Sequence, residues 1–101
     1  MRWPYRDKRI EWDEKKNTQL MRTRGVSFDD VVLAVEEERS ILDIFPHPNQ
    51  EVYPHQIILV LNIRNYACVI PFVEDNEKVF LKTMYKSRKF HHIYLSKDKN
   101  I

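Results

Sequence analysis

Between Tyr85 and Tyr94 the chain reads YKSRKFHHIY, placing Lys86, Arg88, Lys89, His91 and His92 among the aromatic residues Tyr85, Phe90 and Tyr94. Lys82 adds a further cation upstream. An arginine can hold two phosphate oxygens at once, and aromatic rings can stack on unpaired bases. Histidines ordinarily titrate near neutrality, as a general acid or base for phosphodiester cleavage must. RNA carries its own nucleophile in the 2′-hydroxyl. A protein that positions the chain, moves protons and stabilises the charged transition state can therefore cut it without a metal. The other reading of the same residues is a solvated basic helix whose aromatic side chains pack inward.

Other chemistries find less support. His47 and His55 lie in a proline-rich stretch, and the adjacent His91 and His92 would leave a helix in different directions, so no zinc-like spacing is present and no metal is expected. No serine sits in a nucleophile elbow. Glu11 with Glu14, and the run Glu36 to Glu38, are paired acids of a kind that most often lies in solvent. The single glycine, Gly25, leaves no loop able to cradle a nucleotide phosphate, so no cofactor is expected.

These residues need a scaffold. RIEW, Arg9 to Trp12, reads as a short strand, after which Asp13 can cap a helix that ends at Gly25. Asn17, Leu20, Met21 and Arg24 share one face of that helix, of which only the middle is apolar. Ser27 is placed to cap a second helix, with Asp30 completing a capping box and Val26 and Val31 forming a staple. Phe28, Val31, Val32 and Val35 form its buried stripe, and Glu36 to Glu38 close it with the wrong charge for the helix dipole.

ILDIF, Ile41 to Phe45, alternates like a half-buried strand, and PHPNQEVYPH is a loop. IILVLNI, Ile57 to Ile63, has the continuous apolar character of a central strand. Arg64 and Asn65 turn the chain into YACVIPFV, where Pro71 predicts a bulge or an edge. VFLKTMY, Val79 to Tyr85, is one more strand, and Ser87 caps a short last helix. The expected fold is α+β: two N-terminal helices and a short C-terminal helix on an antiparallel sheet of three to four strands, plus a short N-terminal strand.

The length of 101 residues suits one domain over residues 1–101, with residues 1–8 and 96–101 expected as flexible tails. One cysteine, Cys68, permits no internal disulfide, and no apolar run is long enough to cross a bilayer. A soluble cytoplasmic protein without a membrane partner is expected. The formal charge of +2 divides into +4 over residues 1–24, −7 over 25–78 and +5 over 79–101. If the fold joins the two ends, a basic stripe suited to a phosphate backbone results.

The segment IEWDEKKNTQLMRTRGVSFDDVV, Ile10 to Val32, resembles the opening signature of BrnT-type toxins, the ribonuclease halves of bacterial toxin-antitoxin pairs. Trp12, Asp13, Lys16, Asn17, Gly25, Val26, Ser27, Phe28 and Asp30 match at the family's spacing. MYKSRK is similar to the family's Ile-Ile-Ser-Ala-Arg-Lys stretch, with Arg88 and Lys89 on its arginine and lysine.

The chain departs from the family in several places. Leu20 and Met21 replace an asparagine and a leucine, and Arg24 stands where a histidine usually precedes the glycine. One family arginine falls within Val73 to Asp75 and another on Thr83, beside Lys82, while His91 and His92 occupy the region of a missing acid.

The resemblance implies a RelE-like fold and a translation-arresting endoribonuclease, held inactive by a cognate, DNA-binding antitoxin. The residues it and the local chemistry nominate for catalysis are Arg88, Lys16, Lys82, His91 and His92. Lys86, Lys89, Tyr85, Tyr94 and Arg24 are nominated for RNA binding. A RelE-like module that binds RNA or an antitoxin without cutting is the alternative.

Overall fold

The computed structural model describes residues 1–96. Helix α1, Glu14–Arg24, begins where Asp13 Oδ1 accepts the Lys15 amide at 2.9 Å, and it ends at Gly25 in the left-handed region, φ 66°. A Cβ at Gly25 would touch nothing within 4 Å, so the dihedral rather than space favours glycine there. Leu20 is buried, but Met21 on the expected apolar face is 49% exposed.

Helix α2, Phe28–Ala34, has Ser27 at its N-cap, yet the Ser27 side chain accepts no backbone amide. The expected capping box is absent. The buried Asn17 of α1 supplies the cap instead: its Oδ1 accepts the Phe28 amide at 2.7 Å, and its Nδ2 donates to Asp29 at 3.1 Å. Asn17 sits one helix away at the right height, and its amide both accepts and donates, so it outcompetes a hydroxyl that can reach the Asp29 carboxylate instead. Phe28, Val31 and Val35 are buried, and Val32 is half-buried. The helix stops before Glu36, so Glu36 to Glu38 follow its C-terminus rather than closing it, and Glu38–Ser40 form a 3₁₀ turn. Acids at that end, with no basic residue in the last turn, oppose the dipole by about 0.3–1 kcal/mol each.

The sheet has six strands and is mixed, where three to four antiparallel strands plus a short N-terminal one were expected. β2, Ile41–Pro46, β3, Ile57–Ile63, β4, Tyr66–Glu74, and β5, Lys78–Leu81, form the antiparallel meander. β1, Arg9–Glu11, lies parallel to β5 because the two helices and the meander intervene before β5 returns beside it. The expected strand from Val79 to Tyr85 divides. β5 stops at Leu81 and β6, Tyr85–Lys86, pairs with β4 further along the same edge.

Pro71 explains the break, since it lies in β4 between the partners of β5 and those of β6. Its carbonyl accepts the Lys82 amide at 2.9 Å, so the amide hydrogen that proline lacks would face that same side.

β3 alternates between two cores. Leu59, Leu61 and Ile63 face α1 and α2 with Phe72, Val79 and Leu81, while Ile58 and Val60 face Phe90, Tyr94 and Leu95. Helix α3, Arg88–Tyr94, therefore covers the face opposite α1 and α2. Both sides of β3 being covered accounts for its uninterrupted apolar sequence.

Residues 1–8, expected as a tail, are anchored to the larger core through Trp3 and Tyr5. Trp3 is 5% exposed and its ring packs against Tyr5 and Phe72. Residues 97–101 of the expected C-terminal tail lie outside the described residues.

Strand β2 is an edge, and it is blunted. The ladder continues through His47 N to Gln56 O, which turns the Ile44 and Pro46 amide positions outward. Asp43 Oδ1 accepts the Ile44 amide at 2.9 Å and Pro46 has none to offer, so no row of free donors remains for another strand.

Candidate nucleic-acid interface

β6 and α3 build one corner of the molecule. Ser87 N donates to Ala67 O at 2.9 Å and so holds the chain against β4, while Ser87 Oγ accepts the Phe90 amide at 3.1 Å and starts the helix. The helical period sends Phe90 and Tyr94 inward, where Phe90 packs on Phe45 with ring centres 6.1 Å apart. Arg88, Lys89 and His92 then face outward and are exposed, as are Tyr85 and Lys86 of β6.

Charge sets this corner apart. No acid occurs from Val79 to Leu95. Lys82, Lys86, Arg88 and Lys89 make no ion pair among the described residues, whereas Arg2, Lys8, Arg9, Arg64 and Lys78 all do. Lys82 and Lys89 lie over the Phe80 and Phe90 rings, at 5.7 Å in each case, leaving their ammonium groups at the surface.

The N-terminal basic block meets this corner at Arg24. Arg24 Nη1 donates to Met84 O at 2.8 Å, tying the end of α1 to the connection between β5 and β6. Lys8 is taken up elsewhere: its Nζ lies 2.8 Å from Glu74, and that hydrogen bond raises its pKa. Lys16 is half-buried near the start of α1, about 12 Å along the helix axis from Arg24. α1 and α3 cover opposite faces of the sheet, so Lys16 and Arg88 stand on elements that the sheet separates.

The two histidines differ. His91 stacks on Tyr66, ring centres 4.2 Å apart and planes 11° from parallel, and its Nδ1 is buried without a hydrogen-bond partner among the described residues. His92 is exposed. Tyr94 donates to Asp43 Oδ2 at 2.5 Å, and this bond, with burial, raises the phenol's pKa. Its ring also stacks on Phe90, so Tyr94 anchors α3 to β2. Tyr85, 41% exposed, is the aromatic ring open to a base.

Asp43 and Tyr66 went unnoticed in the sequence, although each positions a nominated residue. The available signal was Asp43 itself, an acid within an otherwise apolar strand. Burial pushes the Cys68 thiol up to about 11, against the opposing pull of Lys86, so it is a packed side chain and not a nucleophile. Among the described residues no group of three His, Cys, Asp or Glu gathers as for a metal ion, and no helix is long and apolar enough to cross a membrane. Comparison of the chain with protein-family models, curated proteins and solved structures returned no match.

Proposed function

We propose that this chain is a RelE-like toxin of the BrnT type, a metal-independent cytoplasmic endoribonuclease that arrests translation until a cognate antitoxin covers it. The observation that carries this reading is the corner of cations around Arg88, drawn from a run without an acid and making no ion pair among the described residues, with exposed Tyr85 and His92 beside them. The resemblance at Arg88 and Lys89 supports it from the sequence side.

In the proposed reaction the 2′-oxygen of the RNA attacks the adjacent phosphorus and the bond to the 5′-oxygen breaks, leaving a 2′,3′-cyclic phosphate. The 2′-hydroxyl proton leaves to a base and the 5′-oxygen gains a proton. Arg88 holds the non-bridging oxygens as charge builds on them, Lys86 and Lys89 hold flanking phosphates, and Tyr85 stacks on a base. His92, exposed one helical turn from Arg88, is the proposed proton donor or acceptor.

A second reading, an RNA- or antitoxin-binding module without cleavage, is favoured by one observation: His91 and Tyr94 are engaged with Tyr66 and Asp43, and Lys16 is on the other face. Expression of the chain alone in bacteria and incubation of the purified protein with RNA separate the two. The toxin reading expects growth arrest, relieved by the antitoxin, and chelator-resistant cleavage. Arg88→Ala should slow cleavage by about 10²–10³, the usual effect of removing one transition-state donor, while Lys16→Ala should change it only a few-fold. Normal growth with ample soluble protein, or full cleavage by Arg88→Ala, would refute the assignment.

A further inference from the structure

We infer that the outer edge of β6 is a main-chain phosphate site, in which the Lys86 amide and the Arg24 guanidinium together take one phosphate of the RNA backbone. The ladder sets the direction of every group on this edge. Ser87 N donates to Ala67 O, and Cys68 and Val69 stand opposite Lys86 and Tyr85, so the Tyr85 carbonyl and the Ser87 amide both face β4. A trans peptide points its carbonyl and its amide hydrogen in opposite directions. The Lys86 N–H, which shares a peptide with the Tyr85 carbonyl, therefore points away from the sheet. Among the described residues no strand other than β4 pairs with β6, so this donor is open.

The Met84 carbonyl points outward by the same rule, and there Arg24 Nη1 donates to it at 2.8 Å. Met84 O and Lys86 N–H are successive outward groups of the chain, so this tether brings a guanidinium to the flank of the open amide. One Arg24 donor is spent on Met84, and the others make no bond to the described residues. The side chains follow the ladder. Lys86 lies opposite Cys68 of the larger core, on the face that α1 covers, and Tyr85 lies opposite Val69 of the smaller one. The Lys86 ammonium and Arg24 thus share one face of the edge, with the exposed Tyr85 ring on the other.

This arrangement selects an oxyanion over a strand. An added strand needs the Met84 carbonyl as an acceptor, and Arg24 already fills it. A phosphodiester needs only donors: one non-bridging oxygen accepts from Lys86 N–H and the other from Arg24, with the Lys86 ammonium beside them. Such a contact positions the backbone without reading the base. Tyr85 offers its ring to an adjoining base, which a protein carboxylate does not carry. The site rests on the reading of this corner as an RNA site, and adds to it a contact that alanine substitution at Lys86 leaves in place.

A single-stranded 2′-deoxyoligonucleotide lacks the nucleophile, so it can be bound without being cut, and it is the probe. In proton–nitrogen NMR of the full chain its addition should move the Lys86 amide proton downfield, and further than a polyglutamate peptide of equal charge does. Lys86→Ala keeps the N–H and loses the charge, whereas Lys86→Pro loses both at an edge position whose amide the ladder does not use. Proline should therefore weaken binding about tenfold beyond alanine, and Arg24→Ala should weaken it about tenfold. Circular dichroism checks that each variant folds, and the wild-type amide shift decides the matter if the proline variant does not. A Lys86 amide that stays in place in saturating probe, equal affinities of folded Lys86→Ala and Lys86→Pro, or an equal shift with polyglutamate would each overturn the phosphate site. Cleavage of RNA of the same sequence is read separately. Cleavage with an unmoved Lys86 amide removes only this site, and a shifted amide without cleavage removes only the nuclease.

Discussion

Asn17→Ala should be among the most damaging single changes in this chain, and for a structural reason. Asn17 is 2% exposed, and its Oδ1 is the acceptor for the amide of Phe28, whose side chain is fully buried. Alanine leaves that amide without a partner, at about 1–3 kcal/mol, and also removes the bond to Asp29, net about 0.5–1 kcal/mol for a part-exposed pair. A loss of about 2–3 kcal/mol is a large share of the 5–15 kcal/mol typical of a domain, and for one of this size lowers Tm by roughly 10–20 °C.

Urea titration followed by far-UV circular dichroism measures the loss as a lower midpoint at unchanged slope. Ser27→Ala is the matched control. If Ser27 were the working cap, its removal would cost about 0.5–2 kcal/mol, whereas a hydroxyl that accepts no backbone amide should cost less than about 0.5. A harmless Asn17→Ala with a damaging Ser27→Ala would refute the assignment of the cap. Well below its midpoint, Asn17→Ala should retain RNA cleavage, because its amide is spent on the backbone of α2. A folded but inactive variant would place Asn17 at the substrate instead.

Tyr94→Phe removes the bond to Asp43 and should destabilise by about 1–2 kcal/mol at neutral pH, read by the same titration. The folded-state pKa of Tyr94 is raised, so its contribution is full below the ordinary tyrosine value of about 10 and is lost as pH rises through the higher folded value. The alkaline fall in stability should be shallower in Tyr94→Phe, and identical alkaline limbs in the two proteins would exclude the Asp43 bond as its cause. Some alkaline loss should remain, because Tyr5 is raised as well, by burial and by Glu74. Cys68, held up to about 11, should resist alkylation at neutral pH until the protein unfolds; rapid native-state labelling would show that β4 opens beside Lys86.

Much of the fold was legible because its signals are local. Gly25 ends α1 through a dihedral that other residues rarely adopt, Arg64 and Asn65 take the positive φ values of a tight hairpin, and Ile57–Ile63 is a strand to the residue. Capping by Asp13 and Ser87 was equally plain, since each bonds an amide within three residues. The candidate cations were visible for the same reason, as a run without an acid.

What the chain alone could not decide were the pairings made at long range. Asn17 and Ser27 both suit a cap, and only the packing of α1 on α2 selects the first. Pro71 announces an interruption, but that β5 and β6 share the β4 edge on either side of it depends on where the chain returns. The histidines of HHIY look alike in one dimension, yet Tyr66 holds one and solvent the other. Lys16 and Arg88, matched to one family pattern, fall on helices separated by the sheet. Side-chain alternation along β3 puts those helices on opposite faces, and sequence spacing carries no record of which face a distant helix will cover.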